Sequence, residues 1–156
     1  MTPPADFEPE FLAALRTLFE ERIAFNRFMG LRIGTISAGH ASGRIEMRPE
    51  LIGHYTHQRL HGGVISATLD AMGGLAIMAA IGARHMDEPP LQRMQRFAKL
   101  GTIDLRVDYL RQATGTHFTL SAEVLRLGSR VASTRMEFND AAGQLLATGA
   151  AAYIVS

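Results

Sequence analysis

The chain has 156 residues, of which 47% are hydrophobic and 20% are charged. These values are typical of one globular domain large enough to bury its own core, and they argue against an intrinsically disordered chain. The net charge of +1 argues against a general nucleic-acid binder, and the lack of cysteine excludes disulfides, thiolate chemistry and cysteine-based metal sites.

Residues 1–30 form the first predicted unit, a helical extension. Apolar side chains recur at three- and four-residue spacing over residues 7–23, which predicts an amphipathic helix. A short helical turn follows it and ends at Gly30. The chain opens on an acidic stretch without a basic-then-apolar leader, so we expect a cytoplasmic protein.

Two strands and a polar segment come next. Alternation of apolar and polar residues predicts strands over residues 31–35 and 43–48. Residues 51–60 are polar and rich in histidine, so we predict a loop there. Together with His61, the loop histidines His54 and His57 raise the alternative of a metal site. Their spacing matches no common zinc pattern, and we predict no metal.

One long helix is predicted over residues 63–83, a segment whose single charge is Asp70. The segment is long enough to cross a bilayer, but a carboxylate near the middle of a span is costly and most of its residues are small. We therefore interpret it as a buried helix and expect no membrane. An apolar helix of this kind must be surrounded, which predicts a curved sheet and a second copy of the chain. Gly73 and Gly74 predict a close backbone approach.

The C-terminal third of the chain has the alternation typical of an antiparallel sheet. Four strands are predicted there, over residues 102–109, 118–127, 130–138 and 144–154. The links between them are short and rich in turn residues, which predicts hairpins at 113–115, 128–129 and 139–143. Because no repeat or linker divides the sequence, we predict one α+β domain over residues 1–156.

The start of the long helix and Asp70 form the candidate catalytic group. The first N–H groups of a helix have no internal partner, and Gly62 and Gly63 would let a ligand oxygen approach them, with His61 just outside. Asp70 lies about two turns further on, on a face that it shares with Ser66. A carboxylate aligned with such amides suits the activation of water. The alternative is a structural Asp70 bonded to a neighbouring group.

Arginine supplies 15 of the 16 basic residues, and its planar fork suits phosphate. Arg126, Arg130 and Arg135 lie in the strands around the turn "RLGSR". They form either a solvated face or a phosphate site.

Three segments carry a resemblance to a known family: "LHGGVISATLDAMGGLA", "TIDLRVDYLRQA" and "VLRLGSRVAST". They resemble the hotdog-fold acyl-CoA thioesterases of the PaaI-like branch, and the resemblance covers roughly residues 25–154. It implies a curved antiparallel β-sheet wrapped around a long central α-helix, here with an extra N-terminal helix. It also implies a homodimer, often a dimer of dimers, with active sites at the interface between protomers.

The resemblance implies roles for individual residues as well. Asp70 would be the catalytic carboxylate, acting as general base on water or as nucleophile on the thioester. An N–H of Gly62 or Gly63 of the partner subunit would hold the thioester oxygen, with His61 alongside. The acyl chain would enter an apolar pocket, and residues of the turn before Gly30 are predicted to line it: Phe25, Phe28 and Met29.

The sequence departs from the family at one place. Many relatives have an Asn six or seven residues before the His of this motif, whereas His54 and Tyr55 hold those positions here. His54 or His57 could substitute for that amide. The resemblance also places the phosphates of coenzyme A on basic surface residues. The predicted substrate-binding residues are His54, Tyr55, Ser66, Arg111, Arg126 and Arg130.

We therefore expect an acyl-CoA thioesterase that hydrolyses a medium- or long-chain acyl-CoA to a carboxylic acid and free coenzyme A, with no cofactor. Two alternatives are a hotdog enoyl hydratase or dehydratase and a non-catalytic acyl-CoA-binding hotdog protein. The spacing between the glycines and Asp70 favours the thioesterase. Acyl-CoA-sensing regulators carry a DNA-binding region, which the acidic helix over residues 7–23 does not supply, so we expect no nucleic-acid partner.

Overall fold

A computed structural model describes residues 6–156, so residues 1–5 of the predicted domain lie outside the described part of the chain. The N-terminal extension consists of α1 (Pro9–Thr17), a π-helical turn (Leu18–Arg22) and α2 (Ala24–Met29). The helix predicted from the apolar spacing is confirmed, with a wider last turn. Gly30 ends α2 with a φ of 74°, the left-handed conformation that glycine adopts most readily at a helix end.

Six antiparallel strands form one sheet. They are β1 (Arg32–Ser37), β2 (His40–Glu46), β5 (Gly101–Tyr109), β6 (His117–Leu127), β7 (Val131–Asp140) and β8 (Leu145–Ile154). Their order across the sheet is β1-β2-β6-β7-β8-β5. All six correspond to predicted strands, and the links at 128–129 and 139–143 join neighbouring strands as predicted. The predicted hairpin at 113–115 is wrong, because β5 pairs with β8 at the sheet edge while β6 pairs with β2 and β7.

The predicted loop over residues 51–60 is a small hairpin instead. Its strands are β3 (Ile52–His54) and β4 (Arg59–Leu60), and they are joined by a 3-10 turn over Tyr55–His57. Two leucines, Leu51 and Leu60, anchor this hairpin in the core. The polar composition of the segment hid these anchors in the sequence.

The central helix α3 (Gly62–Arg84) packs on the sheet, chiefly on β6, β2 and β7. It is long and apolar enough to cross a membrane, but 72% of its most apolar window is buried inside the fold. The interpretation as a buried core helix is therefore confirmed. After α3, a short helix α4 (Pro90–Gln95) and a 3-10 turn (Arg96–Lys99) lead to β5.

Close contacts explain two of the glycines in α3. A Cβ atom at Gly73 would lie 2.3 Å from Tyr153 Oη, and one at Gly82 would lie 2.4 Å from Phe11 Cζ. A close approach therefore exists at Gly73, but it is made by a side chain of β8 and not by the predicted backbone. At Gly74 the prediction of a close approach is wrong, because the nearest atom, Leu100 Cδ2, would be at an ordinary 3.5 Å.

A buried arginine attaches the N-terminal extension to the rest of the fold. Arg93 of α4 is fully buried, with its guanidinium 4.4 Å from the centre of the Phe11 ring. It donates a hydrogen bond of 2.5 Å to the Glu8 carboxylate. This bond holds the pKa of Glu8 below its usual value.

Candidate active site

Asp70 lies in α3, half-buried, with hydrogen bonds to two strands. Its Oδ1 accepts a hydrogen bond of 2.9 Å from Thr102 Oγ1 of β5, and its backbone carbonyl accepts one of 2.9 Å from the Tyr153 hydroxyl of β8. Burial raises the pKa of Tyr153, and the Asp70 charge raises it further. The phenol therefore stays protonated and remains a donor that fixes the backbone of Asp70.

Asp70 faces a cleft of about 370 Å³. One wall is a row of small residues on the same face of α3 as Asp70, namely Ala67, Ala71 and Gly74. The opposite wall consists of apolar side chains from the N-terminal extension and from the segment before β5: Phe19, Ile23, Phe25, Phe97 and Leu100. A carboxylate therefore lies on the wall of an apolar cleft whose size is typical of a small-molecule site, roughly 300–1,000 Å³.

Asn26 is a buried polar residue that also lines this cleft. Its Nδ2 donates a hydrogen bond of 3.0 Å to the carbonyl of Phe19, in the π-helical turn. Of the three residues predicted to line an acyl pocket, Phe25 does line the cleft. Phe28 instead stacks beside Phe25, with 6.4 Å between ring centroids, and Met29 is buried in the core.

Sequence reasoning missed three residues of this site: Thr102, Tyr153 and Asn26. Thr102 and Tyr153 are 32 and 83 residues away from Asp70 in the chain. No local pattern marks them, since each fits the ordinary alternation of its strand. A signal existed only for Asn26, as the single amide in an otherwise apolar and basic turn.

The start of α3 lies apart from the Asp70 cleft. His61 caps the helix, and its Nδ1 accepts a hydrogen bond of 2.8 Å from the Gly63 N–H. Gly62 holds the first helical position, where an N–H has no intrahelical acceptor. Its carbonyl accepts a bond of 2.9 Å from the Tyr109 hydroxyl. Gly62 and Asp70 are eight residues apart, about 12 Å along the helix axis, so one chain does not bring them to the same reacting atom.

The other predicted binding residues near α3 point elsewhere. Tyr55 is 83% exposed, and the rings of His54 and His57 lie 4.8 Å apart between centroids, tilted by 37° to one another. Within residues 6–156, no three His, Asp or Glu side chains are grouped so that they could hold a metal ion. Ser66 donates to the Gly63 carbonyl at 3.1 Å. None of these four side chains lines the cleft beside Asp70.

The three arginines predicted to bind substrate, Arg111, Arg126 and Arg130, lie at two opposite ends of the sheet. Arg111 follows the end of β5, where it lines a shallow depression together with Gly62. Arg126 and Arg130 are exposed around the hairpin between β6 and β7, next to the start of β5. The nine residues of β5, about 30 Å, separate the two locations. One chain therefore presents two basic regions rather than one cluster.

Known proteins resemble this chain over most of its length. The Thioesterase superfamily model matches residues 57–147, more than half of the chain. The medium/long-chain acyl-CoA thioesterase YigI of Salmonella typhimurium is 35% identical over 138 residues, which cover 88% of this chain and 89% of the relative. The protein of the same name from Escherichia coli K12 is 34% identical with the same coverage.

Solved structures of similar proteins indicate the same superfamily and fold. A crystal structure of a Shewanella oneidensis protein related to the thioesterase superfamily has a TM-score of 0.87 and 37% identity, and the match covers 96% of this chain and 100% of that one. The PaaI protein of Escherichia coli has a TM-score of 0.75 over 94% of both chains, with 16% identity, which shows the fold alone. The predicted hotdog architecture, a long helix on an antiparallel sheet with an added N-terminal helix, is confirmed.

Proposed function

Because this chain belongs to the thioesterase superfamily, a family of thioester hydrolases, we propose that it hydrolyses medium- or long-chain acyl-CoA to a carboxylic acid and free coenzyme A. Asp70 is the proposed catalytic carboxylate. Two relatives at 34–35% identity carry the name of this activity, which supports the substrate class. The observation that carries the proposal is the position of Asp70, a carboxylate bonded to Thr102 on the wall of an apolar cleft.

The cleft suits a hydrocarbon chain. Its far wall consists of aromatic and aliphatic side chains, so an acyl chain placed there would leave water for an apolar surface. The thioester carbonyl would then lie beside Asp70. This arrangement separates the hydrophobic recognition of the acyl group from the polar chemistry at the carboxylate.

Two routes use Asp70 with the same products. As general base, Asp70 accepts a proton from water while the water oxygen bonds to the thioester carbon; the C–S bond then breaks and the sulfur takes the proton. As nucleophile, an Asp70 oxygen bonds to that carbon and the C–S bond breaks to release the thiolate; water then hydrolyses the resulting anhydride, which restores the Asp70 carboxylate and frees the proton that the sulfur takes. Coenzyme A is part of the substrate, and neither route uses a metal or a redox cofactor.

We propose that a second copy of the chain completes the site. Since Gly62 lies about 12 Å from Asp70 along α3, the amide that holds the thioester oxygen would be that of Gly62 of the partner subunit. The strand β5 supports this arrangement: it is a sheet edge, and its Ile103 is 54% exposed. A homodimer, itself paired into a dimer of dimers, would bring the two basic regions to each site, with Arg111, Arg126 and Arg130 near the coenzyme A phosphates.

Purified protein mixed with butyryl-, octanoyl- or palmitoyl-CoA and a thiol-detecting reagent tests the proposed activity. We expect thiol release, fastest from the longer two substrates. No release from any of them would contradict hydrolysis, and tight binding without release would favour the non-catalytic alternative. Light scattering on the same sample tests the shared site, because a fully active monomer would contradict it.

A further inference from the structure

We infer that Gly74 sets the length of acyl chain that the cleft accepts, an inference that rests on the proposed hydrolysis of acyl-CoA. Gly74 lies four residues after Asp70, one helical turn along the same face of α3, about 6 Å along the helix axis. Both residues line the cleft. Asp70 and Ala71 are half-buried, whereas Gly74 is buried. The burial therefore places Gly74 at the inner end of the cleft and Asp70 nearer its mouth.

Leu100 and Phe19 lie opposite Gly74, and Phe19 is held in place. A Cβ atom at Gly74 would lie 3.5 Å from Leu100 Cδ2 and 3.8 Å from Phe19 Cε1. Phe19 is 2% exposed, and its ring meets that of Phe97 edge to face, with 5.9 Å between centroids. The Asn26 amide also bonds to the Phe19 carbonyl. Phe19 and Leu100 close the inner end of the cleft, so the space between them and Gly74 limits the length of the acyl chain.

Packing alone does not explain a glycine at position 74. Glycine is unfavourable in a helix interior relative to alanine. At Gly73 the close approach of Tyr153 excludes any side chain, whereas at Gly74 the nearest atoms are at ordinary contact distances, so a small side chain would fit. What Gly74 provides is room for one small group between α3 and the side chains of Leu100 and Phe19, inside the cleft. A side chain there would occupy the volume next to Leu100 and Phe19 and shorten the path of the acyl chain.

The test compares kcat/KM for butyryl-, octanoyl- and palmitoyl-CoA in the wild type and in Gly74→Ala and Gly74→Val. We expect the ratio of palmitoyl to butyryl values to fall roughly tenfold or more in Gly74→Val, since each methylene in an apolar pocket changes discrimination by about that factor. Gly74→Ala should give a smaller fall and keep or raise the Tm, because alanine favours the helix.

Gly73→Ala is the matched control. Its new methyl group would clash with Tyr153, so we expect a lower Tm and a similar loss of activity on all three substrates. If Gly74→Val does not fold, the palmitoyl-to-butyryl ratio of kcat/KM in Gly74→Ala tests the role of Gly74 instead. An unchanged ratio in a folded Gly74 variant, with the wild type active, would overturn the role of Gly74 and leave the proposed function standing. A wild type inactive on all three substrates would overturn the proposed function itself.

Discussion

Thr102 Oγ1 donates a hydrogen bond of 2.9 Å to Asp70 Oδ1 and so connects the start of β5 to the central helix α3. The two residues are 32 positions apart in the chain. Tyr153 holds the backbone carbonyl of the same aspartate from β8. Two strands of the sheet thus hold the side chain and the backbone of Asp70 beside the cleft, and the effect of each contact on activity can be measured.

Thr102→Val keeps the branched shape of the side chain and deletes its hydroxyl. Because a hydrogen bond to a charged group contributes about 1.5–3 kcal/mol, we expect kcat to fall roughly tenfold as the carboxylate loses its orientation. Thr102→Ser restores the hydroxyl and should restore most of kcat. Steady-state kinetics on octanoyl-CoA make the comparison, and wild-type kcat in the valine variant would show that this bond has no part in positioning Asp70.

Gly62→Pro tests the amide at the start of α3. Proline is tolerated at the first helical position, and His61 before it already has an extended ψ of 131°, so we expect the fold to persist without the N–H. Losing an oxyanion donor should lower kcat about a hundredfold or more. Gly62→Ala keeps the amide, although its Cβ would lie 3.3 Å from the Tyr109 ring. Equal kcat values in the two variants would exclude the amide from the reaction.

Glu8→Gln tests how the N-terminal extension is attached. The bond from buried Arg93 holds the pKa of Glu8 below its usual 4.5. A carboxyl with a lowered folded pKa stabilises the fold above its unfolded pKa, and this contribution is lost as the pH falls through the folded value. The stability difference between wild type and Glu8→Gln should therefore be present at neutral pH and shrink below pH 4.5.

Urea unfolding across that pH range measures this difference. Glu10→Gln, at an exposed position in the first turn of α1 and two residues after Glu8, is the control and should show a smaller pH dependence. A Glu8→Gln difference that stays constant with pH would contradict an ionic role for Glu8.

The fold was predictable wherever its signal is local. Alternation along the strands and the apolar run around Asp70 depend only on neighbouring residues, and both predictions are confirmed. The partner of β5 was not predictable, because its pairing with β8 is decided by how the whole sheet closes on α3 and not by the turn at 113–115. The anchors of the small hairpin, Leu51 and Leu60, were hidden among polar residues for a similar reason.

The residues of the candidate site also divide into those that the sequence could identify and those that only the folded structure reveals. Asp70 was identifiable because a lone carboxylate in an apolar helix is costly and demands an explanation. Thr102 was not, since only the assembled fold brings it to Asp70. Gly73 and Gly74 are adjacent glycines that the sequence does not distinguish. Their roles differ because Tyr153 lies opposite Gly73, whereas the cleft lies opposite Gly74.

The most direct measurement is the rate of thiol release from octanoyl-CoA by the wild type and by Asp70→Asn. Asparagine keeps the size of the side chain and an oxygen that can accept from Thr102, but it removes the charge that takes a proton or attacks the thioester. With an unchanged Tm, we expect kcat to fall roughly a hundred- to ten-thousandfold. Wild-type kcat in a folded Asp70→Asn variant would contradict a catalytic role for Asp70.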